Sequence, residues 1–295
     1  MSKPETADHH EASGRAIGVF DSGIGGMTVL KELIRAFPKE NFIYLGDTAR
    51  LPYGSKSPET VRKYSVQNMN FLVRKNVKAI VIACNTASTQ VTETDFENIP
   101  IYNVIAPGAL KASQTTKNFK IAVLATRATI KSESYTKKIK QHLPEATVFS
   151  QACPLFVPLA EEGWHEDPIT NLIAYRYLQH LKAADVDTVV LGCTHYPLLK
   201  TAITKVFGSF VQLIDSGEAV AEQIKNDFKT QRLLSQFELS DSESDSEKAQ
   251  DSALQRTSQL QIYLTDAAEQ FEKLSLHLLS EVTQLTPRFE TVSVI

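Results

Sequence analysis

The sequence lacks the marks of several large classes of protein. Its longest apolar stretches are a handful of residues, Ala79-Ile80-Val81-Ile82-Ala83 among them, where a bilayer span takes roughly 20. The opening MSKPETADHHEASGR is polar and has no apolar centre of the kind a secretory signal needs, which points to the cytoplasm as the expected location. There is no surplus of positive charge: 31 Lys and Arg against 34 Asp and Glu leave a net charge of -3. Binding to nucleic acid or to an anionic membrane rests on a basic patch, so neither is expected as a partner. Cysteine is scarce as well. Cys84, Cys153 and Cys193 make three, an odd number for a disulfide framework, and in a cytoplasm they are expected to be reduced. No two stand at the C-x-x-C spacing of a zinc knuckle.

Cofactor fingerprints are missing too. The glycine-rich turn DSGIGG at 21–26 falls short of G-x-G-x-x-G, because the third glycine would have to be residue 28, which is Thr28. There is no P-loop lysine and no evident pyridoxal-lysine motif, so no cofactor is expected. A metal site would want more histidines or acids than the thiol and histidine of Cys193 and His195 supply. Gly25 and Gly26 instead suit a close backbone approach at a helix start, where a carboxylate fits as well as a phosphate.

What is present is a regular alternation. With 295 residues, 42% apolar and 22% charged, the chain can form one large domain or two modest ones. Short apolar runs read as strands at Ile17 to Phe20, Asn41 to Leu45, Ala79 to Ala83, Ile121 to Leu124, Thr147 to Ser150, Thr188 to Leu191, Gln212 to Ile214, Gln261 to Leu264 and Arg288 to Ile295. Helical spacing separates them, over Thr28 to Phe37, from the Ser57-Pro58 cap onward, and over 130–141, 169–183 and 267–279. Strands alternating with helices predict an α/β fold with mainly parallel sheets. Residues 230–259, with SQFELSDSESDSEKAQDSALQ, are acidic and serine-rich and read as an exposed insertion. Two echoes hint at duplication. An apolar run precedes both Ala83-Cys84-Asn85-Thr86 and Gly192-Cys193-Thr194-His195, and Asp-Ser-Gly occurs at 21–23 and at 215–217.

Parallel sheets offer ligands the carboxyl ends of their strands. The polar groups there are Asp21-Ser22, Asp47, Cys84-Asn85-Thr86, Thr126, Thr129 and Cys193-Thr194-His195. Cys84 reads either as a small buried hydrophobe or as a thiol whose pKa is lowered by a helix N-terminus. Cys193 reads the same two ways, and His195, two residues on, reads as a structural histidine, a metal ligand or a proton-handling group. Cys153, followed by proline and an apolar run, reads as structural. Asp21 can cap the helix that follows it. Pro52, Tyr53 and Gly54 read as an exposed turn, and Glu161 and Glu162 as surface acids.

Six segments, GVFDSGIGG (18–26), YLGDTARLPYG (44–54), IACNTAS (82–88), LATRATIKSESY (124–135), VPLAEEG (157–163) and LGCTHYPLL (191–199), resemble the glutamate racemase family, within the wider group of aspartate/glutamate racemases. The resemblance implies an α/β fold of two pseudo-symmetric lobes, each with a mainly parallel sheet flanked by helices and with the active site in the cleft between them. Lobe 1 would be 16–107 plus 215–295, interrupted by the 230–259 insertion, and lobe 2 would be 108–214, after a flexible tail at 1–15. It implies Cys84 and Cys193 as two acid/base thiols, with Asp21, His195 and Glu161 tuning them. Ser22, Pro52, Tyr53, Gly54, Asn85, Thr86, Thr129 and Thr194 would hold the amino acid. The activity implied is cofactor-independent interconversion of L- and D-glutamate, supplying D-glutamate for peptidoglycan. In it Cys84 serves the D enantiomer and Cys193 the L enantiomer. A cell-wall precursor as activator and a homodimer stand as candidate partnerships.

Two thiols suit that chemistry. Inversion at an α-carbon removes a proton from one face and returns one to the other, so one acid/base group on each side does the work without moving the ligand. Three rivals remain at this point. An aspartate racemase would differ in the pocket for the distal carboxylate. A Cys–His hydrolase would use Cys193 and leave Cys84 idle. A two-lobed binding protein would close on a small acid without turnover.

Overall fold

The computed structural model describes residues 14–231, 258–266 and 269–294; residues 1–13 of the expected tail and 232–257 of the expected insertion lie outside them. Two sheets carry the chain. The larger contains β1 (Ile17–Asp21), β2 (Phe42–Gly46), β3 (Ala79–Ile82), β4 (Asp95–Phe96), β5 (Ile99–Asn103), β10 (Leu260–Leu264) and β11 (Arg288–Thr291). Its order is β11-β10-β2-β1-β3-β5-β4. The smaller contains β6 (Lys120–Ala125), β7 (Thr147–Ala152), β8 (Thr188–Gly192) and β9 (Gln212–Asp215), in the order β7-β6-β8-β9. Every pairing is parallel except β4 with β5. Every residue of β1, β3 and β8 is buried, as strands covered by helices on both faces must be.

The helices supply those covers. Helix 216–231 lays Val220, Ile224 and Phe228 against the larger sheet on the face that also takes Met27, Leu30 and Leu33 of the helix Gly26–Ala36. Helix Pro58–Arg74 covers the opposite face with Val61, Met69 and Leu72. On the smaller sheet, helices Pro168–Ala183 and Lys200–Phe207 cover one face and Ile105–Thr115 and Ser134–His142 the other. The chain passes to the second sheet through helix 105–115 and returns through helix 216–231. Phe228 anchors that return. It is fully buried, 5.9 Å from the Phe37 ring and 6.1 Å from Tyr102, and burial of such a side chain stabilises by about 1.5–3 kcal/mol.

Local signals explain most boundaries. Ser57 Oγ accepts from Thr60 N–H with Pro58 in the first turn, the cap expected there. The helix expected over 130–141 is two helices, Arg127–Ser132 and Ser134–His142, because Glu133 between them takes a left-handed conformation at φ 57°.

The topology sorts the two echoes. Around its first strand the larger sheet runs β2-β1-β3-β5 and the smaller runs β7-β6-β8-β9, so β3 and β8 are counterparts. Cys84 and Cys193 therefore leave equivalent strands. The Asp-Ser-Gly triplets do not correspond: one follows β1, and the other follows β9, the counterpart of β5. In each sheet the strand order turns back at the pair β1/β3 or β6/β8, the switch point where open α/β sheets bind ligands.

Candidate active site

A cleft of about 220 Å³ lies where those two switch points face each other. From the larger-sheet side it is lined by Ser22, the loop Pro52–Ser55 and Cys84, Asn85 and Thr86. The other side supplies Thr126, Arg127, Pro154, Val157, Pro158, Cys193, Thr194 and His195. Ten of the thirteen residues singled out from the sequence line this space. The remaining three stand directly behind it. Asp21 is fully buried under Ser22, Thr129 joins a hydroxyl cluster with Thr86, and Glu161 backs His195.

The Asp21 carboxylate takes the N–H groups of Gly23 and Gly26, each at 3.0 Å, and Thr194 Oγ1 donates to it from the other lobe at 3.5 Å. The first amide of the helix Gly26–Ala36 is thus engaged by the chain's own carboxylate. Burial raises the Asp21 pKa, against the charge of His195 and the N–H bonds. The glycines serve contact between lobes: a methyl group on Gly25 would collide with Thr194 Oγ1 and the His195 ring.

The two cysteines have unlike surroundings. Cys84 is the N-cap of a helix of four residues, Asn85–Ser88, and its Sγ accepts from Ala87 N–H at 3.5 Å while lying 3.8 Å from Ser22 Oγ. That short helix does not lower the thiol as expected. Burial and then the Asp21 charge push the Cys84 thiol up, and they outweigh the Ala87 and Ser22 hydrogen bonds. Cys193, unlike Cys84, caps no helix; the next one is a single 3₁₀ turn at Tyr196–Leu199. Its Sγ lies 3.8 Å from His195 Nδ1, and His195 Nε2 lies 3.0 Å from Glu161 Oε1. Burial works against a charged His195, but the bonds to Cys193 and Glu161 prevail and its pKa is pushed up to about 10. Cys153 is buried, with Sγ 3.7 Å from Gln151 O, as a structural thiol would be.

The polar lining is unequally engaged. Thr86, Thr126 and Thr129 form a triangle of hydroxyls 3.0 to 3.1 Å apart that ties the two sides together. Asn85 Oδ1 accepts from Tyr135 OH at 2.6 Å, whereas its Nδ2 is buried without a partner, a donor awaiting an acceptor. Tyr53 is among the residues expected to hold the amino acid, but its phenol is engaged by the chain itself. It donates to Asp47 and accepts from Asn68 Nδ2 at 3.1 Å, with Arg50 completing the group on Asp47. Thr126 stood among the strand-end polar residues in the sequence, but Ser55, Arg127, Pro154, Val157 and Pro158 were not singled out there, although Arg127, Val157 and Pro158 lie in segments that carry the resemblance. With Cys84 and Cys193 as counterparts, the registers of β1 with β3 and of β6 with β8 make Thr126 the counterpart of Ser22, with Arg127 one residue beyond.

No group of three or more His, Cys, Asp or Glu side chains suited to a metal ion occurs among the described residues. None of their helices is long and apolar enough to cross a membrane.

Residues 17–224 match the model of the Asp/Glu/hydantoin racemase family. A glutamate racemase of Geobacter metallireducens is 50% identical over 222 residues, 75% of this chain and 82% of that protein. The structure superposes on a glutamate racemase of Bacillus anthracis with a TM-score of 0.84 at 32% identity, covering 95% of this chain and 98% of the other. For a glutamate racemase of Francisella tularensis in complex with D-glutamate the TM-score is 0.81 at 34% identity, with 96% and 98% covered.

Proposed function

The chain belongs to the Asp/Glu/hydantoin racemase family, and on that footing we propose that it interconverts L- and D-glutamate with Cys84 and Cys193 as the two proton-transfer groups. The observation that carries the mechanism is that two thiols from topologically equivalent strand ends line one cleft. A substrate α-carbon held between them has one sulfur on each face. One sulfur, as thiolate, takes the α-proton while the other, as thiol, delivers its own to the opposite face. Each turnover leaves the two protonation states exchanged, and the reverse reaction starts from that state.

The surroundings fit the demands of the step. The α-proton of an amino acid is weakly acidic, and a thiol pushed up by burial yields a more basic thiolate than an exposed one. Charge that develops on the α-carboxylate can be met by the unpartnered Asn85 Nδ2 and by the hydroxyls of Thr86 and Thr194 in a water-poor space. His195 carries protons to and from Cys193, held in register by Glu161. We assign Cys84 to the D enantiomer and Cys193 to the L enantiomer. The product would be D-glutamate for peptidoglycan. A Cys–His hydrolase would give Cys84 no task, although it lines the same cleft.

The test is direct. Purified protein incubated with L-glutamate, and separately with D-glutamate, should bring the optical rotation of each to zero. Rotation that stays constant in a folded sample would overturn the proposal, and faster loss with aspartate would move the substrate to the shorter acid.

A further inference from the structure

We propose that Tyr135 is a positioning residue for the reaction: it fixes the side-chain amide of Asn85 so that the nitrogen, and not the oxygen, is presented to the substrate carboxylate. The assignment rests on the racemase function proposed above and carries it one residue outward from the cleft. Tyr135 is not among the lining residues. It stands on helix Ser134–His142, which covers the smaller sheet, whereas Asn85 follows β3 of the larger one.

Three observations carry the assignment. First, an asparagine amide has two ends of similar size and opposite polarity, so a neighbour must decide which end meets a ligand. Here the Tyr135 hydroxyl donates to Asn85 Oδ1 at 2.6 Å, and Asn85 Nδ2 is buried with no partner among the described residues. A buried donor left open by the chain is satisfied when a carboxylate arrives, whereas an oxygen in its place would repel one. Second, the phenol keeps its proton and its direction. It is fully buried, and burial raises its pKa. Ser216 bonds to the same hydroxyl from behind, so the one phenolic proton is left for Asn85. Third, the ring is held in place. A methyl group on Gly192, the residue before Cys193, would come within 3.1 Å of Tyr135 Cε2, and one on Gly108 within 3.4 Å of Cε1 and of the hydroxyl. Gly108 lies on the helix by which the chain crosses to the smaller sheet, and Ser216 begins the helix by which it returns. The direction of the amide is thus set from the opposite lobe, beside both crossings.

The experiment is a double-variant cycle of Tyr135→Phe with Asn85→Ala in the full-length protein, with kcat and KM measured on both glutamate enantiomers. Phenylalanine fills the same space between Gly108 and Gly192 and removes only the hydroxyl. Tyr135→Phe should lower kcat/KM roughly tenfold, the scale of one hydrogen bond to a charged group, and more through kcat than through KM. Asn85→Ala should lose at least as much. On the Asn85→Ala background, Tyr135→Phe should cost less than about twofold, because its route to the substrate has gone. The same cycle with Ser216→Ala should show a smaller loss, about threefold, that vanishes in the same way, and it carries the test should Tyr135→Phe not fold. Full activity in folded Tyr135→Phe, or a loss of the same size with and without Asn85 in either cycle, would overturn the assignment while racemisation by the unaltered protein upholds the function. Absence of racemisation by the unaltered protein would instead defeat the function itself, and the assignment with it.

Discussion

The two halves of the cleft share a topology and differ in their proton chemistry. On the Cys84 side the thiol meets Ser22 Oγ, the Ala87 N–H and the nearby charge of Asp21, with no histidine against it among the described residues. On the Cys193 side a histidine stands 3.8 Å from the sulfur and is itself held by Glu161. Equivalent strand ends thus deliver equivalent thiols into unlike settings. The difference teaches that duplication of the fold places the two thiols, while the residues around them set each one's surroundings separately. In the proposed mechanism the α-centre is worked from two sides by groups that need not be equally good bases.

The largest expected effect that sharpens this comparison is at His195. His195→Asn keeps a polar side chain of modest size but cannot carry the proton, and racemisation should fall about a hundredfold, the usual scale for a positioned acid/base group. Because the two enantiomers are equal in free energy, kcat/KM must fall equally in both directions. Exchange of the α-proton with solvent separates the faces: exchange from L-glutamate should fall more than exchange from D-glutamate. Equal loss from both would erase the distinction between the halves.

A smaller effect is expected at Glu161. The His195 pKa is pushed up from 6.5 to about 10, so the protonated ring is favoured by the fold. Its contribution to stability is full below about pH 6.5 and is lost as pH rises through about 10. Activity that depends on the proton should decline on the same alkaline limb. In Glu161→Gln the ring loses one of the two partners that raise it, and the limb should move to lower pH by roughly one unit, with a modest change at neutral pH. A profile that does not move would detach Glu161 from the Cys193 face.

Much of this was legible in the sequence because parallel strands buried on both faces must be short, continuous and apolar. Ile17–Asp21, Ala79–Ile82 and Thr188–Gly192 could be read from that alone, and the polar residues that ended them became the lining of the cleft. Strand Ile99–Asn103 was missed because Pro100 interrupts it and its burial is partial. Helix 216–231 was missed although Val220, Ile224 and Phe228 recur every four residues; the polar residues between them resembled the acidic stretch that follows. The glycine turn was read either as a place for a ligand or as a helix start that Asp21 caps, and its amides hold Asp21. Arg127 was overlooked because a charged residue at a helix start is ordinary in sequence, and only the facing loop makes it part of a cleft. The thiol environments were legible only in part. From the residues alone the burial of Cys84 was one of two readings and Glu161 read as a surface acid; only the resemblance put Glu161 with His195, because the contact joins segments far apart in the chain.

The central claim is that each thiol serves one enantiomer. The measurement that tests it is loss of the α-proton in deuterated water from L-glutamate and from D-glutamate by Cys84→Ser and Cys193→Ser variants shown to be folded. Racemisation should be crippled in both. Cys193→Ser should still exchange the α-proton of D-glutamate and not that of L-glutamate, and Cys84→Ser should do the reverse. Exchange from both enantiomers by either variant, or racemisation that survives the loss of one thiol, would contradict the two-thiol account.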